Sequence, residues 1–182
     1  FQRVTVTGRF DPAHQFLLDN RTHDGRAGYE VLTPLHRDGK PAILVNRGWV
    51  PFTGYRDRLP DVTFAPAGAV EMTGRVDELP SEGLESGRAA PDAAAPWPKV
   101  TSFPHAAELA AALGQPVESR ILLLDGREPN GYVREWQPPG MDRSGLPPGD
   151  ALAGPAGRLA QAQGVGQPAA VHLAVDRLAD RG

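Results

Sequence analysis

"GYEVLTPLHRDGKPAILVNRGWV", residues 28–50, decides the fold. Two runs rich in large and β-branched apolar residues flank Asp38-Gly39. An Asp-Gly pair in that setting is a strong hairpin signal, because both positions tolerate the positive φ that a tight, correctly twisted turn demands. After the turn, Ile43, Leu44 and Val45 are apolar in succession, so this strand is buried on both faces. Then the character changes. Asn46, Arg47 and Trp49 surround Gly48, and Pro51 ends the run. A strand that only fills a core has no use for those three side chains at its exit. Gly48 marks a backbone angle or a close approach that a side chain would block.

Working outward, "VTVTGRFD" (4–11) alternates, with Val4, Val6 and Phe10 on one face and Thr5, Thr7 and Arg9 on the other. "VEMTGRVD" (70–77) does the same, with Val70, Met72 and Val76 opposite Glu71, Thr73 and Arg75. Period 2 over that length predicts half-buried antiparallel strands. The octets agree at five positions, and the 66-residue offset is too long for a solenoid repeat, so they read as two equivalent strands of one sheet or barrel. Their glycines predict bulges or close backbone approach. "RILLLD" (120–125) is a second fully apolar, hence central, strand. "GYVREW" (131–136) is its predicted partner, joined through Glu128-Pro129-Asn130-Gly131. One helix is predicted over 104–113, with Pro104 in its first turn, Ala106, Leu109, Ala110 and Leu113 as its apolar stripe and Gly114 as its stop. Residues 80–99 read as a loop holding Trp97. From Pro138 the composition turns to Gly, Pro, Ala and Gln. Residues 138–168 read as a flexible linker or non-native tail, followed near the end by a short amphipathic helix with Val171, Val175 and Leu178 on one side.

The fold class is therefore mainly β with one packed helix: an antiparallel sheet curling toward a barrel over residues 1–138, then a tail over 139–182. Gly and Pro supply 40 of 182 residues, which fits turn-rich β structure. A net charge of −3 gives no basic field for nucleic acid. Cysteine is absent, which excludes disulfides, thiolate metal sites and thiol catalysis. No apolar run approaches 18 residues. The chain lacks an initiating Met and opens on a strand, so it reads as a fragment.

His14, His23, His36, His105 and His172 form no HxH, HxxxH or HExxH spacing, and a surface-loop reading of His14 and His23 outweighs a metal pair. There is no G-x-S-x-G, no P-loop and no G-x-G-x-x-G, so no nucleophile, triphosphate or dinucleotide site is indicated. What remains is a set at strand exits: Arg21, Tyr29, Asn46, Arg47, Gly48, Trp49, Arg134 and Trp136. One reading makes it a docking surface, because guanidinium forks fit carboxylates and indoles cover flat apolar faces. The other makes the asparagines satisfy loop backbone and the arginines brace strand ends against carboxylates.

"FLLDNR…GYEVLTPL…AILVNRGWVP", then "VEMTGRV", a loop with Trp97 and "GYVREWQP", resembles the surfeit-locus family of cytochrome c oxidase assembly factors, bacterial branch, over residues 1–138. The resemblance implies a β-rich domain on the periplasmic side of the bacterial cytoplasmic membrane, anchored by one helix at each end. It implies assistance to haem-copper oxidases where haem enters subunit I, without turnover. The implied partners are subunit I and other assembly factors, with haem a as a transient ligand that the sequence itself does not display. Residues 142–182 depart from the family, which continues into an aromatic transmembrane helix; a frameshift or a gene-prediction error accounts for such a Gly/Ala/Arg-rich segment. No histidine here inherits a haem-ligand role. The rival readings are a scaffold that binds no haem and an enzyme with a dispersed site.

Overall fold

The computed structural model describes residues 2–80 and 89–136. Contacts group the chain into one unit, Phe1–Glu135, and a second, Trp136–Gly182. The expected tail and its short helix lie outside the described residues. The first unit holds β1 (Arg3–Phe10), β2 (Phe16–His23), β3 (Arg26–Arg37), β4 (Lys40–Pro51), β5 (Val70–Glu78), β6 (Lys99–Thr101), α1 (Ala106–Leu113) and β7 (Val117–Leu124).

Five strands close on themselves in the order β1-β5-β7-β4-β3 and back to β1, while β2 and β6 extend the sheet beyond β3. The mainly β, barrel-like class predicted from the sequence is the one observed. The Asp38-Gly39 hairpin joins β3 to β4, with Gly39 at φ 68°. The two apolar runs are neighbours, Leu44 against Ile121 and Val45 against Leu122. That pair is parallel, as is β2–β6, so the sheet is mixed where a purely antiparallel one was expected. Parallel neighbours need a long crossover, and the chain from β4 to β7, with α1 near its end, provides it.

The two matching octets, β1 and β5, pair directly and antiparallel. The glycine of each sits opposite a valine of the other, Gly8 against Val70 and Gly74 against Val4. A Cβ on Gly8 would lie 2.5 Å from the His36 carbonyl of β3, and one on Gly74 2.5 Å from the Leu123 carbonyl of β7. Both glycines thus mark close approach to a third strand. Val6, Leu35, Ile43, Val45, Met72, Leu122 and Leu124 fill the barrel, with Val4, Phe10 and Val70 packed on them. The β1–β3 seam is two residue pairs long. Asp11 reinforces it. Its N–H donates to the Pro34 carbonyl at 2.9 Å, and its carboxylate lies 2.8 Å from His14 Nδ1 and 3.2 Å from His36 Nε2.

α1 begins at Ala106, two residues later than expected. His105 is its N-cap, in an extended conformation, and its N–H donates to Glu108 Oε2 at 3.1 Å. Pro104 therefore precedes the cap. Gly114 ends the helix at φ 70°, as its sequence position indicated. Of the expected stripe only Leu109 is fully buried. Among the described residues no helix is long and apolar enough to cross a membrane.

Candidate functional site at the exit of β4

The outer half of β3 runs between two irregular neighbours. On β2 the register steps between Leu18/Glu30 and Arg21/Gly28, so Asp19 and Asn20 stand against Tyr29 alone, with Asn20 at φ 58°. On β4 it steps between Asn46/Leu32 and Trp49/Glu30, so Arg47 and Gly48 stand against Val31. Each step is a β-bulge, which adds one residue and bends the strand. Asn46 fixes the second one locally. Its Oδ1 accepts the Gly48 N–H at 3.0 Å and its Nδ2 donates to Glu30 Oε2 at 3.0 Å.

Register partners share a face. Leu35/Ile43, Thr33/Val45 and Tyr29/Val50 put one face of the hairpin toward the interior. Along it the barrel core gives way to a second cluster of Leu17, Tyr29, Val31, Val50 and Val62. Arg47 lies at the junction, 1% exposed. Its Nε donates to Thr33 Oγ1 at 2.8 Å, Nη1 to the Asn130 carbonyl at 2.6 Å and Nη2 to Gln15 Oε1 at 2.9 Å. The guanidinium sits 3.8 Å from the Phe64 ring centroid and 5.1 Å from that of Tyr132. Gln15, itself buried, accepts a hydrogen bond from the Thr33 hydroxyl at 2.7 Å and donates to the Val62 carbonyl at 2.9 Å. Burial pushes the Arg47 pKa below its ordinary value, and interaction with Tyr132 opposes the shift. A guanidinium stays charged in a protein. Arg47 is thus a buried cation whose acceptors are neutral oxygens and whose neighbours are aromatic faces.

β7 flanks β4 only as far as Asn46. Beyond it, residues 131–134 take over that edge. Tyr132 N–H donates to the Arg47 carbonyl at 2.6 Å, and Trp49 and Val133 exchange hydrogen bonds at 2.8 and 3.3 Å. "GYVREW" is therefore not a strand paired with β7, as expected from their proximity in sequence, but a strap along β4. Gly48 makes this possible. It sits at φ 114°, and a Cβ there would lie 2.6 Å from the Val133 carbonyl. Arg134 staples the strap's own loop, donating to the carbonyls of Asp125 (2.6 Å), Gly126 (3.2 Å) and Tyr132 (3.2 Å).

The opposite face of the hairpin holds Trp49, 8% exposed, over Gly28. Its Nε1 donates to the Arg21 carbonyl at 3.2 Å, and its ring lies 5.3 Å from that of His23. Arg21 approaches Glu30 at 3.7 Å, so Arg21, Glu30 and Asn46 form one chain of polar contacts.

The eight sequence-selected residues thus divide. Arg21, Asn46 and Trp49 meet on one face. Tyr29 and Arg47 lie on the other. Burial and the Asp19 carboxylate push the Tyr29 phenol up, with Arg56 acting against them. Gly48 and Arg134 belong to the strap contact, and half-buried Trp136 to the second unit. The carboxylate brace expected of the arginines is present at Arg21; Arg47 and Arg134 hold backbone and side-chain carbonyls and a hydroxyl instead. Gln15, Thr33, Phe64 and Asn130 complete the Arg47 site and carry no sequence motif that singles them out. His14 packs on Asp11 and Trp97, and His23 on Trp49, Asp24 and Glu135. Among the described residues no group of His, Asp and Glu is arranged to hold a metal.

The "NRGWV" and "GYVREW" blocks of the sequence meet at this bulge. Three relatives, uncharacterized SURF1-like proteins of Mycobacterium bovis and of two strains of Mycobacterium tuberculosis, are each 39% identical over 83 residues. The match spans 44% of this chain and 30% of each relative's length. The SURF1 family model matches residues 1–153, beyond the 1–138 covered by the sequence blocks. On that match over most of its length, the chain belongs to the SURF1 family, known generally for cytochrome oxidase assembly.

Proposed function

We propose that this chain is the periplasmic domain of a membrane-anchored assembly factor for a haem-copper cytochrome c oxidase. It acts where haem enters subunit I, alongside other assembly factors, and without catalytic turnover. The family match over residues 1–153 carries the reading. The close packing of the strap on the β4 bulge supports it, since two of the sequence blocks that carry the family resemblance build this feature. In this reading the bulge and strap form a rigid platform, and partners meet the surfaces around it. Haem a is a transient ligand.

The test is restoration of oxidase. In a bacterial host deleted for its own family member, the full gene carrying this domain restores oxidase activity and the haem a absorbance of its membranes. Failure to restore either, with the protein at normal abundance, sinks the reading. A scaffold that binds no haem is the second reading. It is favoured by the burial of Asn46, Arg47 and Trp49, whose polar groups are engaged internally. Titration of the purified domain with haem separates the two: saturable Soret changes support transient binding, and their absence leaves the scaffold.

A further inference from the structure

The turn that follows β4 is built differently from the bulge. Its ends are anchored: Phe52 N–H donates to the Ala27 carbonyl at 3.0 Å, and Phe52 and Leu59 pack on the Tyr29 cluster. Its middle is held by Thr53, whose hydroxyl lies 3.3 Å from the Tyr55 N–H and 2.5 Å from the Arg58 carbonyl. The Arg58 N–H in turn donates to the Tyr55 carbonyl at 3.3 Å. The loop is therefore ordered by its own bonds, and little ordering entropy remains to be lost when it binds.

What this rigid tip displays is unusual for a surface. Tyr55 is 60% exposed, the most exposed large hydrophobic side chain among the described residues. The Arg58 guanidinium lies 5.1 Å from its ring centroid. Arg56 and Arg58 are both exposed. Among the described residues neither forms an ion pair, whereas Arg3, Arg21 and Arg37 each pair with a carboxylate. One acidic residue, Asp57, stands between them, so the tip is net positive. Tyrosine and arginine are among the side chains that most often carry binding energy, and a guanidinium beside an aromatic face suits a carboxylate with an apolar neighbour.

We propose that the Thr53–Arg58 turn is a docking tip for an acidic segment of the oxidase partner, with Tyr55, Arg56 and Arg58 as its contact side chains. The inference rests on the assembly-factor reading above, and its test keeps the two apart. The wild-type full gene and a Tyr55→Ser/Arg58→Ala variant are expressed in the deletion host. Oxidase activity, protein abundance and thermal midpoint are measured together. The expected result is at least a fivefold loss of oxidase activity, with abundance and midpoint unchanged. Arg58→Lys retains more activity than Arg58→Ala, because the charge persists. A photo-crosslinking amino acid at position 55 yields an adduct with an oxidase subunit. Full activity of the double variant overturns the docking tip while leaving the assembly reading intact. Normal oxidase in the deletion host itself overturns the assembly reading and the inference with it. Adducts confined to lipid, or binding of the wild type to phosphatidylglycerol vesicles that the double variant loses, overturn the protein partner in favour of a membrane surface.

Discussion

The two ends of the β3–β4 hairpin bury the same inward face by different means. Toward the turn, Leu35, Ile43 and Val45 meet Val6, Met72, Leu122 and Leu124 in an apolar cluster. Toward the exit, the same face carries the charged Arg47 among Gln15, Thr33, Asn130, Phe64 and Tyr132. The barrel end needs volume and shape, and neighbouring side chains can relax around a loss. The exit end needs every donor and acceptor in place, because an unmatched polar group in a dry interior costs more than a matched one contributes. The contrast teaches that this sheet is closed by apolar packing at one end and fastened by a single cation at the other.

Arg47→Ala gives the largest expected effect. It removes a donor from each of the Gln15, Thr33 and Asn130 oxygens and leaves a cavity, and a loss of about 4 kcal/mol is expected for such a buried network. Chemical denaturation reads it; a loss below ~1 kcal/mol would erase the distinction between the two ends. Leu122→Ala tests the barrel end. Its expected cost is about 3 kcal/mol from lost burial and residual cavity, read in the same way. If it proved costlier than Arg47→Ala, the barrel end would be the less tolerant of the two.

Gly48→Val comes next, at about 2 to 3 kcal/mol, because a branched side chain at φ 114° is strained and meets the strap. Hydrogen exchange should show protection lost first at the Tyr132 and Val133 amides; uniform loss across the sheet would mean that the strap is not separately held. The smallest effect concerns Asp11, a carboxylate at the barrel seam. Burial raises its pKa, but hydrogen bonds from His36 and His14, the charge of His14 and the Ala13 N–H outweigh burial and hold it below 3.8. A depressed carboxylate pKa adds stability that is fully present above about pH 4, the unfolded value, and is lost as pH falls through the folded one. Asp11→Asn should therefore flatten the acid limb of the stability profile below pH 4. An unchanged limb would remove Asp11 from the seam.

Much of the barrel end was legible in residues alone. The alternation of 4–11 and 70–77, the Asp38-Gly39 turn and the apolar runs at 43–45 and 121–124 each report a local rule of strand geometry. The exit end was legible only as an anomaly. Asn46, Arg47, Gly48 and Trp49 stood out, yet nothing near them in the chain names their partners. Gln15 lies 32 residues from Arg47 and Asn130 83 residues from it. The "GYVREW" segment was assigned to the strand nearest in sequence, whereas it lies along the edge that β7 leaves free.

The sequence by itself determined where strands begin and turn, which faces are apolar, that one helix stops at Gly114, and the family resemblance carried by its blocks. These follow from period, turn chemistry and wording, all of them local. Only the tertiary structure decided that β4 and β7 run parallel, that Arg47 and Trp49 point to opposite faces, and that the conspicuous arginine is an interior fastener. A bulge shifts the phase of every side chain beyond it, and a buried cation takes its partners from whichever segments the closed sheet brings within reach.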